Sequence, residues 1–372
     1  MDGSGVMSRE SEYSHNMLRE IHEQPEAITE TLQKSTPEAK QFAELYHLND
    51  FNLIYLTGSG TSYHAGLAGQ YAMATITKTF MSVIPSSEFK YWVPRSTSKR
   101  SMVLAISQSG ESADVLSAAS AARDNGSTVI AITNTPGSSL TSLAHFTVHS
   151  YAGVEKAVTA TKTYTSQLAT MFTIALAHAE KDEASDNESL SRLNRIITEV
   201  PHYVQEAISS AEPQVLQLAE KLKSSRFIFL LGSGPNYATS LEGALKLKEA
   251  SEVFAEGFAT REFIHGPMQL ISEGTPIIAF LPHSEAQEES FSSFINFQRL
   301  GARIIGVTCH EGKKESEKYL FECIRSRTEI EDIFTPITYI IPIQLLAYNL
   351  AVKKGLNPDK PDKLKKVVKS LS

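Results

Sequence analysis

The chain has 372 residues, 41% hydrophobic and 21% charged, with a formal net charge of −7 and a pI near 5.9. That balance describes a globular protein and argues against a nucleic-acid binder, which carries a basic face. No unbroken apolar run of ~18 residues offers a membrane span. The polar N-terminus MDGSGVMSRESEYS has no leader-like apolar core. Cys309 and Cys323 provide no disulfide framework, as expected of a cytoplasmic protein. The eleven histidines form no HExxH or Cys/His set, so neither a metal nor another cofactor is expected.

Residues 1–47 form an N-terminal helical segment, with Met17, Leu18, Ile21, Ile28 and Leu32 at helical spacing and Pro25 near a helix start. A first unit occupies 48–182. Its apolar run 52–57 (NLIYLT) breaks into Gly58-Ser59-Gly60-Thr61-Ser62, and 102–106 (MVLAI) runs into Ser107. A helix is expected over 113–124, then a strand in 126–133 (GSTVIAIT) and an apolar helix from Thr165-Ser166-Gln167-Leu168.

The polar stretch 181–188 opens a helical linker, 183–215, in which Leu190, Leu193, Ile197 and Val200 share a face beside Ile196. Pro201 and Pro213 are expected to break this stretch into more than one helix. A second unit spans 216–352 and repeats the first. In it 227–231 (FIFLL) runs into Gly232-Ser233-Gly234, 174 residues after the first Gly-Ser-Gly, while 276–281 (PIIAFL) and 301–308 (GARIIGVT) follow in the same order. A basic, proline-punctuated tail closes the chain at 353–372.

Ordered matches at near-constant offset indicate a duplicated domain. Strands apolar at every position suit parallel sheets covered on both faces. The expected fold class is therefore α/β: two tandem doubly wound, flavodoxin-like parallel-sheet domains.

The sharpest chemical signal is Ser107-Gln108-Ser109-Gly110-Glu111-Ser112 between a strand end and a helix start. A helix N-terminus offers unpaired N–H groups and partial positive charge, the serines and Gln108 add donors, and Gly110 permits close approach by an anion. It lacks the lysine of a nucleotide P-loop. Composition alone leaves open a serine-capped turn. In the second repeat the matching place reads Leu281-Pro282-His283-Ser284, so only the first repeat carries the cradle. Thr61 and Ser62 in the Gly-Ser-Gly turn are candidate donors to sugar hydroxyls. That turn is not GxGxxG and has no acidic ribose partner, which counts against a dinucleotide site.

Glu242, Lys246 and Glu249 share one helix face. They read either as a solvated ion pair or with Glu249 as a general base moving a proton between adjacent carbons of an open-chain sugar. His265 precedes a Gly-Pro break and is either structural or a proton shuttle for ring opening. Lys366, among Lys363, Lys365 and Lys369, belongs either to a solvated tail or to a lysine that closes over an anion or forms an imine.

Together these motifs resemble the sugar isomerase (SIS) domain family. They include GTSY at 60–63, SEF at 87–89, SQSGES, PGSSL at 136–140, ATKTYTSQL at 160–168, LEGALKLKE at 241–249, HGP at 265–267, QLLAY at 344–348 and PDKLKKVV at 361–368. The similarity extends to the isomerase half of the glutamine–fructose-6-phosphate aminotransferases and to glucosamine-6-phosphate deaminases. The resemblance implies a phosphate loop of Ser107, Gln108, Ser109 and Ser112, and a sugar contact at Ser62. It also implies Glu249 as the base for proton transfer between C1 and C2, with Lys246 its polar partner. His265 becomes a ring-opening residue that reaches into the neighbouring subunit's site of a homodimer, and Lys366 a covering lysine. Val158 is retained on the substrate loop. Ala160 stands where the aminotransferases usually carry serine, which removes one hydroxyl contact and keeps a different substrate or a deaminase-like site open. Both cysteines lie in the second unit, so no glutaminase nucleophile of that family's kind is present. Ammonia is then expected free in solution, from a separate glutaminase subunit, or as the product of deamination.

Overall fold

A computed structural model describes residues 13–49, 51–182, 186–282, 285–309, 319–326 and 329–369. His283 and Ser284 of the second repeat lie outside the described residues.

Each half builds a five-stranded parallel sheet. The first contains β1 (Leu53–Gly58), β2 (Ser82–Pro85), β3 (Ser101–Ser107), β4 (Thr128–Thr133) and β5 (Phe146–His149) in the order β2-β1-β3-β4-β5. The second contains β6 (Phe227–Gly232), β7 (Phe254–Ala259), β8 (Pro276–Phe280), β9 (Arg303–Thr308) and β10 (Glu322–Arg325) in the order β10-β9-β8-β6-β7. Read from the other edge, this is the same 2-1-3-4-5 winding, the flavodoxin-like order. The sequence expectation of a duplicated doubly wound fold holds. All seven residues of β3 are buried, as a central strand covered on both faces requires.

The helices are α1 (Asn16–His22), α2 (Gln24–His47), α3 (Thr61–Thr77), α4 (Ser86–Trp92), α5 (Ala113–Asp124), α6 (Ser139–Leu143), α7 (Lys162–Lys181), α8 (Asn187–Leu222), α9 (Pro235–Ser251), α10 (Glu285–Arg299) and α11 (Thr335–Lys353). In α5, Val115, Ala118, Ala119 and Ala122 form the buried stripe.

The linker departs from expectation. Pro201 and Pro213 do not divide it, and α8 runs unbroken for 36 residues. Each proline removes one backbone hydrogen bond. The buried row Ile197, Val200, Val204, Ala207, Ile208, Ala211 and Val215 packs on the main core and offsets that loss. Asp186 caps its start by accepting the Glu188 N–H.

Helices α7 and α11 fill the centre, with every residue from Lys162 to Ala179 buried in α7. The segment Asp332–Lys353 is apolar enough by composition to cross a membrane, which reading for unbroken apolar runs misses, but 94% of its most apolar window is buried inside the protein. Gln24 ties the halves together: its amide donates to Gln344 Oε1 (2.9 Å) on α11 and accepts from Thr165 Oγ1 (3.0 Å) on α7.

Candidate active site

Strands β1 and β3 are neighbours, with Gly58 in register with Ile106, and their chains leave on opposite windings. That divergence opens a crevice at the strands' carboxyl ends. The turn after β1 and the polar loop after β3 form its floor, and a cavity of about 330 Å³ lies above them. Its lining includes Thr61, Ser62, Ser107, Gln108, Ser109, Ser112, Val158, Ala160, Glu249 and Lys366. Residues scattered over three hundred positions thus meet in one space of small-ligand size.

The phosphate-loop candidate is held by its own chain. Ser107 Oγ accepts the Gly110 N–H (3.1 Å), Ser109 Oγ accepts the Glu111 N–H (3.1 Å), and Gly110 adopts φ +65°. Ser112 occupies the N-cap position of α5, yet its side chain makes no capping hydrogen bond. This weighs against the capped-turn alternative at that residue. The Ala113 N–H donates to the carbonyl of Val368 in the tail (3.1 Å), so the tail lies across the helix start.

A Cβ on Gly110 would meet Ser138 Oγ at 2.1 Å in a left-handed backbone. Gly110→Val is therefore expected to cost ~1–3 kcal/mol of stability in a thermal melt and to weaken sugar-phosphate binding by calorimetry. Unchanged affinity would detach the loop from the ligand.

Ser62 Oγ accepts from Gln167 Nε2 (3.0 Å), which leaves its proton free for a ligand. Thr61 differs from expectation. Its hydroxyl donates to Glu242 Oε1 (2.9 Å) and lies 3.1 Å from Lys246 Nζ, so its proton is committed within the protein although the residue lines the cavity.

Glu242, Lys246 and Glu249 are not a solvated ion pair. Lys246 is fully buried, 3.1 Å from Glu242 Oε1 and 2.7 Å from Glu249 Oε2. Glu242 also receives His64 Nδ1 at 2.7 Å. Burial alone would lower the Lys246 pKa, but the charges of Glu242 and then Glu249 carry it above the ordinary lysine value. Glu242 is pushed upward by burial and brought below the ordinary value by Lys246 and His64. Lys246 does not line the cavity; it stands behind Glu249, which does.

Lys366 Nζ donates to Glu155, whose side chain is fully buried, and to the Ala157 carbonyl (2.6 Å). Burial raises the Glu155 pKa; the Lys366 charge and hydrogen bond, with the Thr161 N–H, bring it below the ordinary value. Sequence reasoning missed Glu155, His64, Glu242's role and Gln167. Glu155 lies in an irregular loop, and the pairings of these residues join distant parts of the chain, which no local pattern signals.

Behind the loop, Glu20 accepts the N–H groups of Lys156 and Ala157. Burial, then Glu155, raise its pKa from 4.5 to about 7, against those N–H bonds. A raised folded-state pKa means stability fully present below ~4.5 and lost as pH rises to ~7. Glu20→Gln is expected to melt higher than the parent at pH 8 by an amount that shrinks to nothing near pH 4.5, up to ~3 kcal/mol. A pH-independent difference would refute the shift.

His265 ends a short 3-10 turn, Glu262–His265. It is exposed and does not line its own chain's cavity.

Two matched 2-1-3-4-5 units, with a cavity at one switch point and a Glu242–Lys246–Glu249 charge cluster reaching it from the other unit, define a tandem doubly wound α/β protein with an interdomain cavity. The SIS domain family profile matches residues 47–177 and 221–354, and the chain belongs to that family. It is 36% identical, over 97% of its length, to a glutamine–fructose-6-phosphate aminotransferase (isomerizing) of Thermococcus kodakarensis, and likewise 36% over 99% to that of Methanothermobacter thermautotrophicus. It spans 59% and 60% of those relatives. The solved C-terminal domain of the glucosamine-fructose-6-phosphate aminotransferase from Francisella tularensis superposes with TM-score 0.85 at 28% identity, over 94% of this chain and 99% of that one. A glucosamine-6-phosphate deaminase structure from Thermotoga maritima shares the fold, with TM-score 0.71 at 22% identity over 95% and 99% of the two chains.

Proposed function

We propose that the chain is a sugar-phosphate isomerase/deaminase that interconverts glucosamine 6-phosphate with fructose 6-phosphate plus ammonia. The observation that carries this reading is the shared cavity: the polar loop 107–112 and Glu249, 137 residues after its end, face the same space. An anion bound at the loop sets one end of a hexose phosphate, and Glu249 then stands toward the carbons at the other end.

In the deamination direction, Glu249 takes the proton from C2 of the open-chain aldose and returns it to C1. The C1 carbonyl becomes a hydroxyl and the C2 amine an imine; water hydrolyses the imine and ammonia leaves. Lys246, with Nζ 2.7 Å from Glu249 Oε2, holds that carboxylate in place. Ser62 and the loop 155–160 position sugar hydroxyls, with Ala160 making that wall less polar than a serine would. Lys366 covers the ligand from the tail. His265, exposed and away from its own cavity, serves the neighbouring site of a homodimer and opens the ring there.

The names of the relatives support the substrate class. The test is a panel of amino-sugar phosphates scored for ammonia release, and of ketose phosphates scored for amination with free ammonia. Turnover of glucosamine 6-phosphate is the expected result. Turnover of a different amino-sugar phosphate alone would reassign the substrate. Amination only in the presence of an added glutaminase would identify the isomerase part of a split aminotransferase. Tight sugar-phosphate binding without turnover would make it a sensor.

A further inference from the structure

We propose that Glu155 is a positioning residue for the tail lysine: its buried carboxylate fixes where the Lys366 ammonium stands at the cavity. The functional meaning of this rests on reading the cavity as the sugar-phosphate site.

Glu155 is held by hydrogen bonds that do not involve the lysine. Its Oε1 accepts the N–H groups of Thr161 (2.8 Å) and Thr163 (3.2 Å), and its Oε2 accepts the Thr163 hydroxyl (2.7 Å). Those groups belong to the start of α7, where the helix dipole favours a negative charge. Lys366 is the opposite case. It sits on a tail with neither helix nor strand, and its long side chain has many rotamers to lose. Three anchors define its place. The Asp359 carbonyl accepts the Val158 N–H (2.9 Å), the Val368 carbonyl accepts the Ala113 N–H, and Nζ itself is shared by Glu155 and the Ala157 carbonyl.

The loop bearing Glu155 is fixed in turn. Glu20 binds the N–H groups of Lys156 and Ala157 from behind, and Asp359 accepts the Asn16 and Met17 N–H groups at the start of α1 (2.8 Å each). The N-terminal helix, the substrate loop and the tail are thereby one hydrogen-bonded unit with Glu155 at its inner end. Loss of the carboxylate's charge would leave the ammonium one carbonyl partner and return it to the rotamers of an exposed tail.

Two changes separate this role from capping α7. Glu155→Gln keeps an oxygen for the Thr161 and Thr163 amides but removes the charge; Lys366→Met removes the cation and leaves the cap intact. A pulse of acetic anhydride, read by peptide mass spectrometry, is expected to label Lys366 several-fold faster in Glu155→Gln, with Lys363 and Lys365 unchanged as internal references. In kcat/KM each single change is expected to cost about tenfold or more, and the double variant to be no worse than Lys366→Met alone. Unchanged Lys366 labelling, or additive losses in a folded double variant, overturns the proposal. Faster labelling in a protein that turns over no sugar phosphate would leave the positioning role standing and sink the functional reading instead. Should Glu155→Gln not fold, Glu155→Asp draws the carboxylate back by one methylene and enters the same two measurements.

Discussion

Glu249→Gln is expected to lower kcat for ammonia release by ~10²–10⁴-fold while KM for the sugar phosphate changes little. The amide is the same size as the carboxylate but cannot accept a proton from carbon. Glu249 is only partly exposed at the cavity wall, and Lys246 keeps its second carboxylate, Glu242, so the fold survives the change. The proton transfer can be read directly. In deuterated water the parent incorporates label at the C1–C2 positions, and the variant should not, even where the sugar phosphate still binds. Full turnover by the variant would remove Glu249 from the chemistry and leave the cavity as a binding site alone.

Lys246→Met produces the largest structural effect. It strips the shared cation from Glu242 and Glu249, and Glu242 is fully buried. Breaking a buried pair by removing one partner costs ~3–5 kcal/mol, because the remaining charge has no solvent. For units of this size that corresponds to a fall in melting temperature of roughly 10 °C. Activity should be lost as well, since Glu249 then loses the ammonium that holds its carboxylate in place. Adding Glu242→Gln should restore part of the stability by removing one orphaned carboxylate, without restoring turnover. If the single variant melts with the parent, the network is not what holds α3 against α9.

Much of the fold was legible because it rests on local periodicity. Strands apolar at every position announce a parallel sheet, and the repeat of 227–231 on 52–57 announces a duplication whatever the chain does elsewhere. The polar loop 107–112 was legible for the same reason: its residues are consecutive, and their place after β3 follows from the strand. Pro201 and Pro213 were misread because a local rule met a tertiary one. The helix continues where its buried face gains more than the two lost hydrogen bonds cost.

The sequence by itself determined the doubly wound class, the duplication and the polar loop at Ser107–Ser112, because short-range pattern and hydrogen-bonding chemistry specify them. Tertiary structure alone decided the electrostatics. Spacing placed Glu242, Lys246 and Glu249 on one face but not whether that face is wet. Packing of α9 against α3 buried it, and brought Thr61 and His64 to Glu242. It likewise set Glu155 opposite Lys366 across more than two hundred residues. Charge pairing depends on distance and on exclusion of water, and neither exists until the chain has folded.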